Sequence, residues 1–342
     1  MSTSNFFGGV DLGGTKINVT ILGEDGEFRI HEMLETPAMV GQGTAATLKQ
    51  MKAALEAGAD RAGVSMSSIK GIGLDTPGPA SVEGVISAEG STNFGNREWS
   101  NFPIRGAFEK IVGLPTVYAN DGNAAAFHCH RVKFGESTKS SSMTAAVGTG
   151  LGGGLVVNGQ LVVGATGFAA EIGHVVLPTI GLLDDGQPVP KCNCGKVGDA
   201  EAWASLMGIR NNLLPYYLQK YPSHPLWQVE DLKGERAKRV RALGESGDEM
   251  ARIIFKKQAV ALAVLFDITM QFLDLDAFFV GGGVMQTQKE FREWFLRVLR
   301  DHLPLRGEQK GVQIEVAPDG DMAGARGAAR LALEAWRQRG VS

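Results

Sequence analysis

The pattern of apolar and polar positions predicts a strand, a tight glycine turn and a second strand near the start of the chain. Residues 6–10 form an apolar, strand-like run, Asp11 and a glycine pair follow, and residues 17–22 then alternate with period two. A P-loop or a dinucleotide-binding fingerprint has a helix directly after its glycines, with its N-terminus facing the phosphates. Because a strand follows here, the pattern indicates a β-hairpin and disfavours both of those nucleotide folds.

The same pattern occurs a second time, roughly 135 residues further on. Residues 143–147 predict a strand, 148–154 a glycine loop and 155–157 another strand. Asn158-Gly159 then indicates a hairpin turn into a strand at 160–163. We therefore predict two related α/β halves that face each other, with the two glycine turns across one cleft.

Helical periodicity marks four longer segments, and a short buried strand separates the last two of them. The strand covers residues 276–280 and leads into a run of three glycines. The predicted helices cover residues 44–62, 121–134, 248–273 and 320–339.

Composition and charge exclude several classes of protein. A chain of 342 residues is long enough for about two domains. Its 34 Lys and Arg residues against 37 Asp and Glu leave no basic excess for a nucleic-acid partner. Three cysteines are too few for a disulfide framework. The longest apolar run, 259–266, is far shorter than the roughly 20 residues that span a bilayer. These features predict a soluble, cytoplasmic protein without a membrane partner.

The two glycine turns are candidate phosphate sites. Backbone N–H groups in a tight turn form an anion-binding concavity, and the missing side chains let phosphate oxygens approach closely. Thr15 and Thr149 would add hydroxyl donors and Lys16 a positive charge, while Asp11 could hold Mg²⁺ or its water. Two ordinary glycine-rich hairpins are the alternative, but the matched pair in separate halves favours phosphate binding.

Asn120 and Asp121 follow a predicted strand and begin a predicted helix. They could form a helix N-cap and nothing more, because Asn and Asp are preferred there. The functional interpretation is that Asp121 accepts the proton of a sugar hydroxyl during phosphoryl transfer. Such transfers depend mainly on positioning and charge stabilisation, so a strongly basic group is not required.

Carboxylates and an imidazole at Glu171, His174 and Glu201 suit the binding of a sugar, because each satisfies hydroxyls through directional hydrogen bonds. Cys192 and Cys194 with the upstream histidine also offer three ligands for tetrahedral zinc. The alternative for the cysteines is an adventitious pair of buried thiols.

Together these strings resemble the ROK family (repressors, open reading frames and kinases), which includes bacterial glucokinases and related hexose kinases. The resemblance covers nearly the whole chain, with the motifs in the family's order. In the first half, the matches are a phosphate motif at 11–16, a Pro-Gly-Pro turn at 77–79 followed by Asn93, and a catalytic string at 120–125. In the second half, they are a phosphate motif at 148–153, Glu-Ile-Gly-His at 171–174, a cysteine motif ending at Glu201 and adenosine-side glycines at 281–283.

The resemblance implies the actin-like ATPase (ribonuclease H-like) fold, in which two α/β domains surround a cleft. Residues 1–119 plus 320–342 would form a small N-terminal α/β domain with a returning C-terminal helix, and 120–319 a large α/β domain. It also implies that Asp121 is the general base. The implied sugar-binding residues are Gly78, Asn93, Asn120, Asp121, Glu171, His174 and Glu201. The implied ATP and Mg²⁺ residues are Asp11, Gly13, Gly14, Thr15, Lys16, Gly148, Thr149, Gly150, Gly152, Gly281, Gly282 and Gly283.

The chain departs from the family in its cysteine motif, where Asp199 occupies the position of the third cysteine. Zinc would then rest on His174, Cys192, Cys194 and Asp199, and an oxygen ligand is permissible but less selective for zinc. Without zinc, the loop would need another fastening, for instance hydrogen bonds from Asp199 to turn amides.

Two smaller departures are Ala119, where the family usually has Glu, and Ala170, where Gly usually precedes the Glu. We expect both to be tolerated, because neither removes a group assigned to chemistry.

The sequence thus predicts an ATP-dependent hexose kinase, with glucose favoured as the substrate and O6 as the acceptor. N-acetylglucosamine, N-acetylmannosamine, mannose and fructose remain alternatives, as does polyphosphate as the donor. A non-catalytic sugar sensor is expected to lose Asp121 or a glycine turn, and both are intact. A sugar-sensing repressor is disfavoured because only ten residues precede Asp11. Family resemblance also implies a homodimer.

Overall fold

The structure is a computed structural model that describes residues 5–78, 80–88 and 94–340. The strands are β1 Phe6–Leu12, β2 Lys16–Gly23, β3 Glu35–Pro37, β4 Ile69–Thr76, β5 Thr116–Asn120, β6 Ser142–Val147, β7 Leu151–Val157, β8 Gln160–Leu161, β9 Ala277–Gly281 and β10 Gln313–Val316. The α-helices are α1 Thr44–Arg61, α2 Ile104–Val112, α3 Asp121–Phe134, α4 Ala200–Ala204, α5 Leu206–Gly208, α6 Leu214–Gln219, α7 Glu235–Glu245, α8 Glu249–Leu273, α9 Lys289–Asp301 and α10 Ala323–Arg339.

Short helical turns connect these elements. A π-helical turn at Ile209–Leu213 joins α5 to α6. The 3₁₀ turns lie at Val40–Gln42, Met66–Ser68, Arg97–Trp99, Ile172–His174, Pro225–Gln228, Leu232–Gly234, Gly283–Met285, Gly307–Gly311 and Gly320–Met322.

Two five-stranded sheets in the described part of the chain repeat one topology. The first has the order β3-β2-β1-β4-β5 and the second the order β8-β7-β6-β9-β10, so each strand of the first sheet has a counterpart in the second. In the first sheet β1 pairs antiparallel with β2 and parallel with β4, and β4 pairs parallel with β5. The internal repeat predicted from the two hairpins is therefore confirmed.

The chain divides into two compact units. The first comprises residues 1–139, 154–170 and 318–342, and the second residues 140–153 and 171–317. The first unit includes α3, whereas the sequence-based division begins the second domain at residue 120. The domain boundaries 1–119 plus 320–342 and 120–319 stay a prediction.

Glycines let the C-terminal helix α10 pack directly on the strands of the first unit. A Cβ atom at Gly9 in β1 would lie 1.9 Å from the carbonyl oxygen of Ala325, and one at Gly73 in β4 would lie 1.8 Å from that of Ala328. Such approaches exclude every side chain, so these glycines are required for close helix–sheet contact. The apolar core of this unit includes Val10, Leu12, Ile72 and Leu74, which belong to the same two strands.

The second glycine loop is shorter than the predicted range 148–154, because β7 already begins at Leu151. Gly153 and Gly154 lie inside this strand and serve packing. A Cβ atom at Gly153 would lie 2.1 Å from the carbonyl oxygen of Thr144, and one at Gly154 would lie 2.7 Å from Cβ of Ala126. The turn that offers backbone amides is therefore confined to residues 148–150.

Across the described residues, no helix combines the length and the apolar character needed to cross a membrane.

Candidate active site

The first glycine turn connects β1 to β2 in the first unit. The N–H of Gly13 donates a hydrogen bond to the carbonyl oxygen of Lys16 at 2.8 Å, which closes the turn. The Lys16 ammonium lies 2.5 Å from a carboxylate oxygen of Glu35 on β3. Thr15 and Lys16, the two predicted donors to phosphate, are both exposed. Glu35 partly neutralises the lysine charge.

Asp11 and Asp75 lie side by side at the ends of β1 and β4. The two residues are register partners on adjacent parallel strands. Asn18 donates a hydrogen bond from Nδ2 to Oδ2 of Asp11 at 3.1 Å. Burial raises the pKa of Asp11 in spite of this hydrogen bond. Burial, followed by the negative charge of Asp11, raises the pKa of Asp75 well above its usual range.

The sequence analysis missed Asp75. The sequence does contain a pattern that could have identified it. Asp75, like Asp11, lies near the end of an apolar strand that is followed by a glycine. The charge of Asp121 also contributes to the raised pKa of Asp75, which places the predicted base in the electrostatic range of this pair.

Asp121 is the first residue of α3 and is exposed. The side-chain oxygen of Asn120 accepts a hydrogen bond from the Asn123 N–H at 2.7 Å, so Asn120 is the N-cap of the helix. Oδ1 of Asp121 accepts a hydrogen bond from the Gly122 N–H at 2.7 Å. Asn120 therefore fixes the start of the helix, and Asp121, the predicted base, is the exposed first residue of that helix.

Gly78 follows β4 and lies near a hydroxyl pair formed by Thr76 and Tyr118, whose oxygens are 2.8 Å apart. Burial raises the pKa of the Tyr118 hydroxyl, which therefore stays protonated. Pro79, which follows Gly78, and the predicted sugar-binding residue Asn93 lie outside the described residues.

The second glycine turn, residues 148–150, lies in the second unit. The N–H of Gly148 donates to the carbonyl oxygen of Gly150 at 3.0 Å, while the amides of Leu206 and Met207 donate to the carbonyl oxygens of residues 148 and 149. The helical segment at 206–208 thus fixes the turn. Thr149 is exposed.

Glu201 lies against this second turn. Its Oε2 atom accepts a hydrogen bond from the Leu151 N–H at 2.8 Å, and a Cβ atom at Gly150 would lie 2.5 Å from the same oxygen. Its other oxygen lies 3.3 Å from Sγ of Cys192. A predicted sugar-binding residue thus joins the predicted phosphate turn to the cysteine motif.

Glu171 and His174 lie in the same unit as Glu201, and both His174 and Glu201 act on Glu171 through their charge. Burial raises the pKa of Glu171, His174 opposes this rise, and the negative charge of Glu201 adds to it. Glu171 directly precedes the 3₁₀ turn Ile172–His174. The N–H of His174 donates a hydrogen bond to the carbonyl oxygen of Glu171 at 3.0 Å. The structure therefore brings these three predicted sugar residues into one neighbourhood.

His174, Cys192, Cys194 and Asp199 form a cluster with the donor set of a metal site. One ligand atom from each lies within 4.8 Å of all the others. Nδ1 of His174 is 3.0 Å from Oδ2 of Asp199, 3.6 Å from Sγ of Cys194 and 4.0 Å from Sγ of Cys192. Bonds of about 2.0–2.3 Å to tetrahedral zinc place ligand atoms roughly 3.3–3.8 Å apart. The four residues fit zinc in donor type, and the distances from Nδ1 of His174 to the other three ligand atoms, 3.0–4.0 Å, lie on both sides of this range.

A pocket of about 240 Å³ lies beside the second glycine turn, entirely within the second unit. Gly148, Thr149 and Gly283 line it together with apolar side chains from α7 and α8. Gly281 and Gly282 directly precede Gly283 in the chain. Gly282 has φ of +82°, a backbone conformation that favours glycine. The lining residues are Val147, Gly148, Thr149, Leu206, Ile209, Ala237, Lys238, Arg241, Phe255, Gln258, Gly283 and Val284.

Comparisons with known proteins identify the family of the chain. A family model described as the ROK family matches residues 7–335. The N-acetylmannosamine kinase of Escherichia coli O127:H6 is 30% identical over 325 residues, covering 94% of this chain and 97% of that protein.

Two solved structures resemble the chain over nearly its whole length. A ROK hexokinase from Thermus thermophilus is 26% identical with a TM-score of 0.76, covering 97% of this chain and 99% of that one. A ROK family glucokinase from Streptomyces griseus, in complex with glucose and AMPPNP, is 27% identical with a TM-score of 0.71, covering 96% and 100%. The predicted actin-like ATPase fold, shared by these kinases, is confirmed. With its matched family motifs and its kinase relatives, the chain belongs to the ROK family and is a sugar kinase.

Proposed function

We propose that the chain transfers the γ-phosphoryl group of ATP to the O6 hydroxyl of a hexose, with glucose as the substrate. The observation that carries this proposal is the exposed Asp121 carboxylate, fixed at the first residue of α3 by the Asn120 cap. A carboxylate held in this way directs a hydroxyl toward phosphorus and accepts its proton as the bond to phosphorus forms.

In this proposal the sugar hydroxyls are bound by Gly78, Asn93, Asn120, Glu171, His174 and Glu201. Glu171 supports the assignment because its raised pKa is caused mainly by burial in the free protein. A carboxyl group in a partly buried site is suited to directional hydrogen bonds with hydroxyls.

ATP is proposed to bind through both glycine turns, with its adenosine in the pocket beside residues 281–283. The apolar part of the lining supports a purine ring, and Lys238 and Arg241 at the same pocket offer positive charge to phosphate groups. Mg²⁺, when bound with ATP, would neutralise phosphate charge, and Asp11 is the residue proposed to hold it. Polyphosphate as the donor would be supported if it replaced ATP in the assay below.

Zinc is proposed to be held by His174, Cys192, Cys194 and Asp199, where it would fasten the loop that carries Glu201. Its contribution is structural, because these ligands leave no open position assigned to the reacting groups.

N-acetylmannosamine is the second candidate substrate, because the kinase from Escherichia coli that is 30% identical is named for it. N-acetylglucosamine, mannose and fructose complete the set of sugars to be tested. A cytoplasmic location, where ATP is available, and a homodimer are further parts of the proposal. Light scattering of the purified protein tests the homodimer.

A coupled assay tests the proposal directly. The purified protein is supplied with ATP, Mg²⁺ and each hexose in turn, and ADP release is followed. Turnover with glucose supports the proposal, and turnover with one other sugar reassigns the substrate. Asp121→Ala should lower kcat by about 10²–10⁴-fold while sugar binding by calorimetry persists. Asp60→Ala, an exposed carboxylate on α1, serves as the matched control. Sugar binding without turnover of any hexose would contradict the kinase and favour a non-catalytic sensor.

A further inference from the structure

The segment that carries the two cysteine ligands forms a tight turn through its own backbone. The N–H of Cys192 donates a hydrogen bond to the carbonyl oxygen of Lys196 at 2.9 Å, and the N–H of Gly195 donates to the carbonyl oxygen of Cys192 at 3.1 Å. Sγ of Cys192 also accepts a hydrogen bond from the Cys194 N–H at 3.5 Å. These bonds shape the turn itself, whereas its position beside the other ligands depends on contacts with other elements.

The side-chain amide of Asn212 joins the residue before this turn to helix α4. Oδ1 of Asn212 accepts a hydrogen bond from the Lys191 N–H at 2.9 Å, and Nδ2 donates to the Lys191 carbonyl oxygen at 3.1 Å. Nδ2 also donates to the carbonyl oxygen of Ala202 in α4 at 3.3 Å. An asparagine amide has two N–H donors and one acceptor oxygen, so all of these groups are bonded to backbone atoms here.

The two backbone partners of Asn212 adjoin different ligands of the proposed zinc site. Lys191 directly precedes Cys192 in the chain. The N–H of Ala202 donates a hydrogen bond to Oδ1 of Asp199 at 3.0 Å. One side chain therefore connects the backbone beside a cysteine ligand to the backbone that holds the carboxylate ligand.

Asn212 lies on an irregular part of the backbone, the π-helical turn Ile209–Leu213. Single turns of this kind are rare and occur frequently at functional sites. The first residue of the turn, Ile209, lines the pocket beside the second glycine turn, while Asn212 bonds to the cysteine segment. The irregular turn thus contacts two parts of the second unit to which a function is assigned.

We propose that Asn212 is a positioning residue of the zinc site, which it serves by holding the cysteine segment against α4. It is not itself a ligand. Because the thiolate and carboxylate ligands come from separate segments, fixing these segments beforehand lowers the entropic cost of binding the ion. Groups that orient metal ligands through hydrogen bonds have a large effect on metal affinity. This inference rests on the zinc site proposed above.

A chelator competition tests this inference on the full chain, without ATP or sugar. Zinc is distributed between the protein and a chromophoric chelator, and the affinity of each variant is compared with that of the wild type. Asn212→Ala should weaken zinc affinity by about 10–100-fold. Asn212→Leu keeps the volume of the side chain but removes all three hydrogen bonds, and it should weaken the affinity to the same extent.

The matched control is Asn211→Ala. Asn211 lies on the same π-helical turn and also reaches the cysteine segment, where its Nδ2 group donates to Oδ1 of Asn193 at 3.2 Å. It is exposed and bonds to a side chain, so it does not fix the backbone beside a ligand. Its zinc affinity should stay within about twofold of the wild type.

Cobalt gives a spectroscopic readout that a general loss of stability would not change. Co²⁺ takes the place of zinc in tetrahedral sites, and its visible absorption reports the geometry of the ligands. At saturating Co²⁺, Asn212→Ala should show altered visible bands, whereas Asn211→Ala should give the wild-type spectrum. Circular dichroism of each variant in a metal chelator checks that the protein is folded before metal is added.

The possible outcomes separate this inference from the zinc site itself. Equal zinc affinity in Asn212→Ala and the wild type would overturn the role of Asn212 and leave the zinc site standing. Absence of zinc binding in the wild type would reject the zinc site together with this role. Weakened affinity in Asn212→Ala but not in Asn212→Leu would assign the effect to packing and overturn positioning by hydrogen bonds. The hexose panel reports on the kinase separately.

Discussion

Oδ2 of Asp199 lies 3.0 Å from Nδ1 of His174, while the other carboxylate oxygen of Asp199 accepts a hydrogen bond from the Ala202 N–H at 3.0 Å. Asp199 is thus the N-cap of α4, the helix that carries Glu201, and it is fully buried. The residue that replaces the family's third cysteine has two structural roles available, one toward a metal and one toward the helix. The sequence analysis expected hydrogen bonds between Asp199 and turn amides in the absence of zinc, whereas the amide that donates to Asp199 here belongs to helix α4.

Substitution of Asp199 separates these two roles. Asp199→Asn keeps an oxygen that can accept the Ala202 N–H but removes the anionic ligand, so zinc affinity should fall at least about tenfold with little loss of stability. Asp199→Ala should lose both the affinity and about 1 kcal/mol of stability from the missing cap. Zinc released to a chromophoric chelator and urea unfolding measure the two effects.

Asp199→Cys tests the opposite change, a gain in zinc affinity. A thiolate at this position is a softer ligand, and we expect tighter zinc binding together with loss of the helix cap. Equal zinc content in the wild type, Asp199→Asn and Asp199→Cys proteins would exclude residue 199 as a ligand.

Gly150 of the second turn and Gly152 of β7 should differ sharply in their tolerance of alanine. A Cβ atom at Gly150 would lie 2.5 Å from Oε2 of Glu201, whereas one at Gly152 meets no atom within 4 Å. Gly150→Ala therefore displaces the Glu201 carboxylate from the Leu151 N–H and should cost about 1–2 kcal/mol. Gly152→Ala should change the stability by less than about 0.5 kcal/mol. Urea unfolding of both variants checks this difference.

The same pair reports on the sugar site. If Glu201 binds the hexose, Gly150→Ala should raise the KM for the sugar more than the KM for ATP, since the displaced group contacts the sugar. An unchanged KM for the sugar would count against Glu201 as a sugar ligand.

Ala170 has φ of +62°, in the left-handed region where a Cβ atom is unfavourable. The sequence analysis expected this alanine to be tolerated in place of the family's glycine. The positive φ means that alanine is less favourable than glycine for the backbone conformation at this position. Ala170→Gly should stabilise the protein by about 0.5–1 kcal/mol, after allowance for the greater freedom of glycine in the unfolded chain. Ala169→Gly, at a neighbour without positive φ, should destabilise it. An unfolding midpoint lower for Ala170→Gly than for the wild type would show that the backbone at Ala170 is not strained.

Asp319, which precedes α10, interacts with His128 of α3, and we expect its contribution to stability to depend on pH. Its Oδ2 atom lies 2.7 Å from Nε2 of His128 and 2.5 Å from Nη1 of Arg326. The hydrogen bond with His128, supported by Arg326 and opposed by burial, holds the pKa of Asp319 well below its usual range. A depressed carboxyl pKa stabilises the fold above the pKa of the unfolded chain, and this stabilisation is lost as the pH falls through the folded value.

Asp319→Asn should therefore destabilise the first unit by about 1 kcal/mol at pH 7, a value reduced for partial solvent exposure. The difference from the wild type should shrink below about pH 4, where the unfolded carboxyl is protonated. Asparagine tolerates the positive φ of +62° at this position, so the backbone is preserved. Urea midpoints across pH 3–7 measure the effect, with Asp60→Asn as the control. A difference that is constant with pH would show that the charge of Asp319 is not its cause.

The sequence by itself determined the repeated hairpin, because period-two alternation around glycine pairs has no helical equivalent. Helix α3 begins and ends at the predicted residues, Asp121 and Phe134, since an Asn cap and a following glycine mark its ends. Local signals of this kind act within a few residues and can be read directly.

Only the tertiary structure decided which residues meet across the chain. Asp75 lies 64 positions after Asp11 in sequence, yet register between β1 and β4 places the two carboxyls together. Contact between Gly150 and Glu201, or between Gly9 and Ala325, likewise depends on packing of distant segments. Period and propensity specify the faces of strands and helices, whereas register and close approach depend on side chains from several elements at once. For this reason the fold and the site motifs were predictable, and the buried carboxyl pair was not.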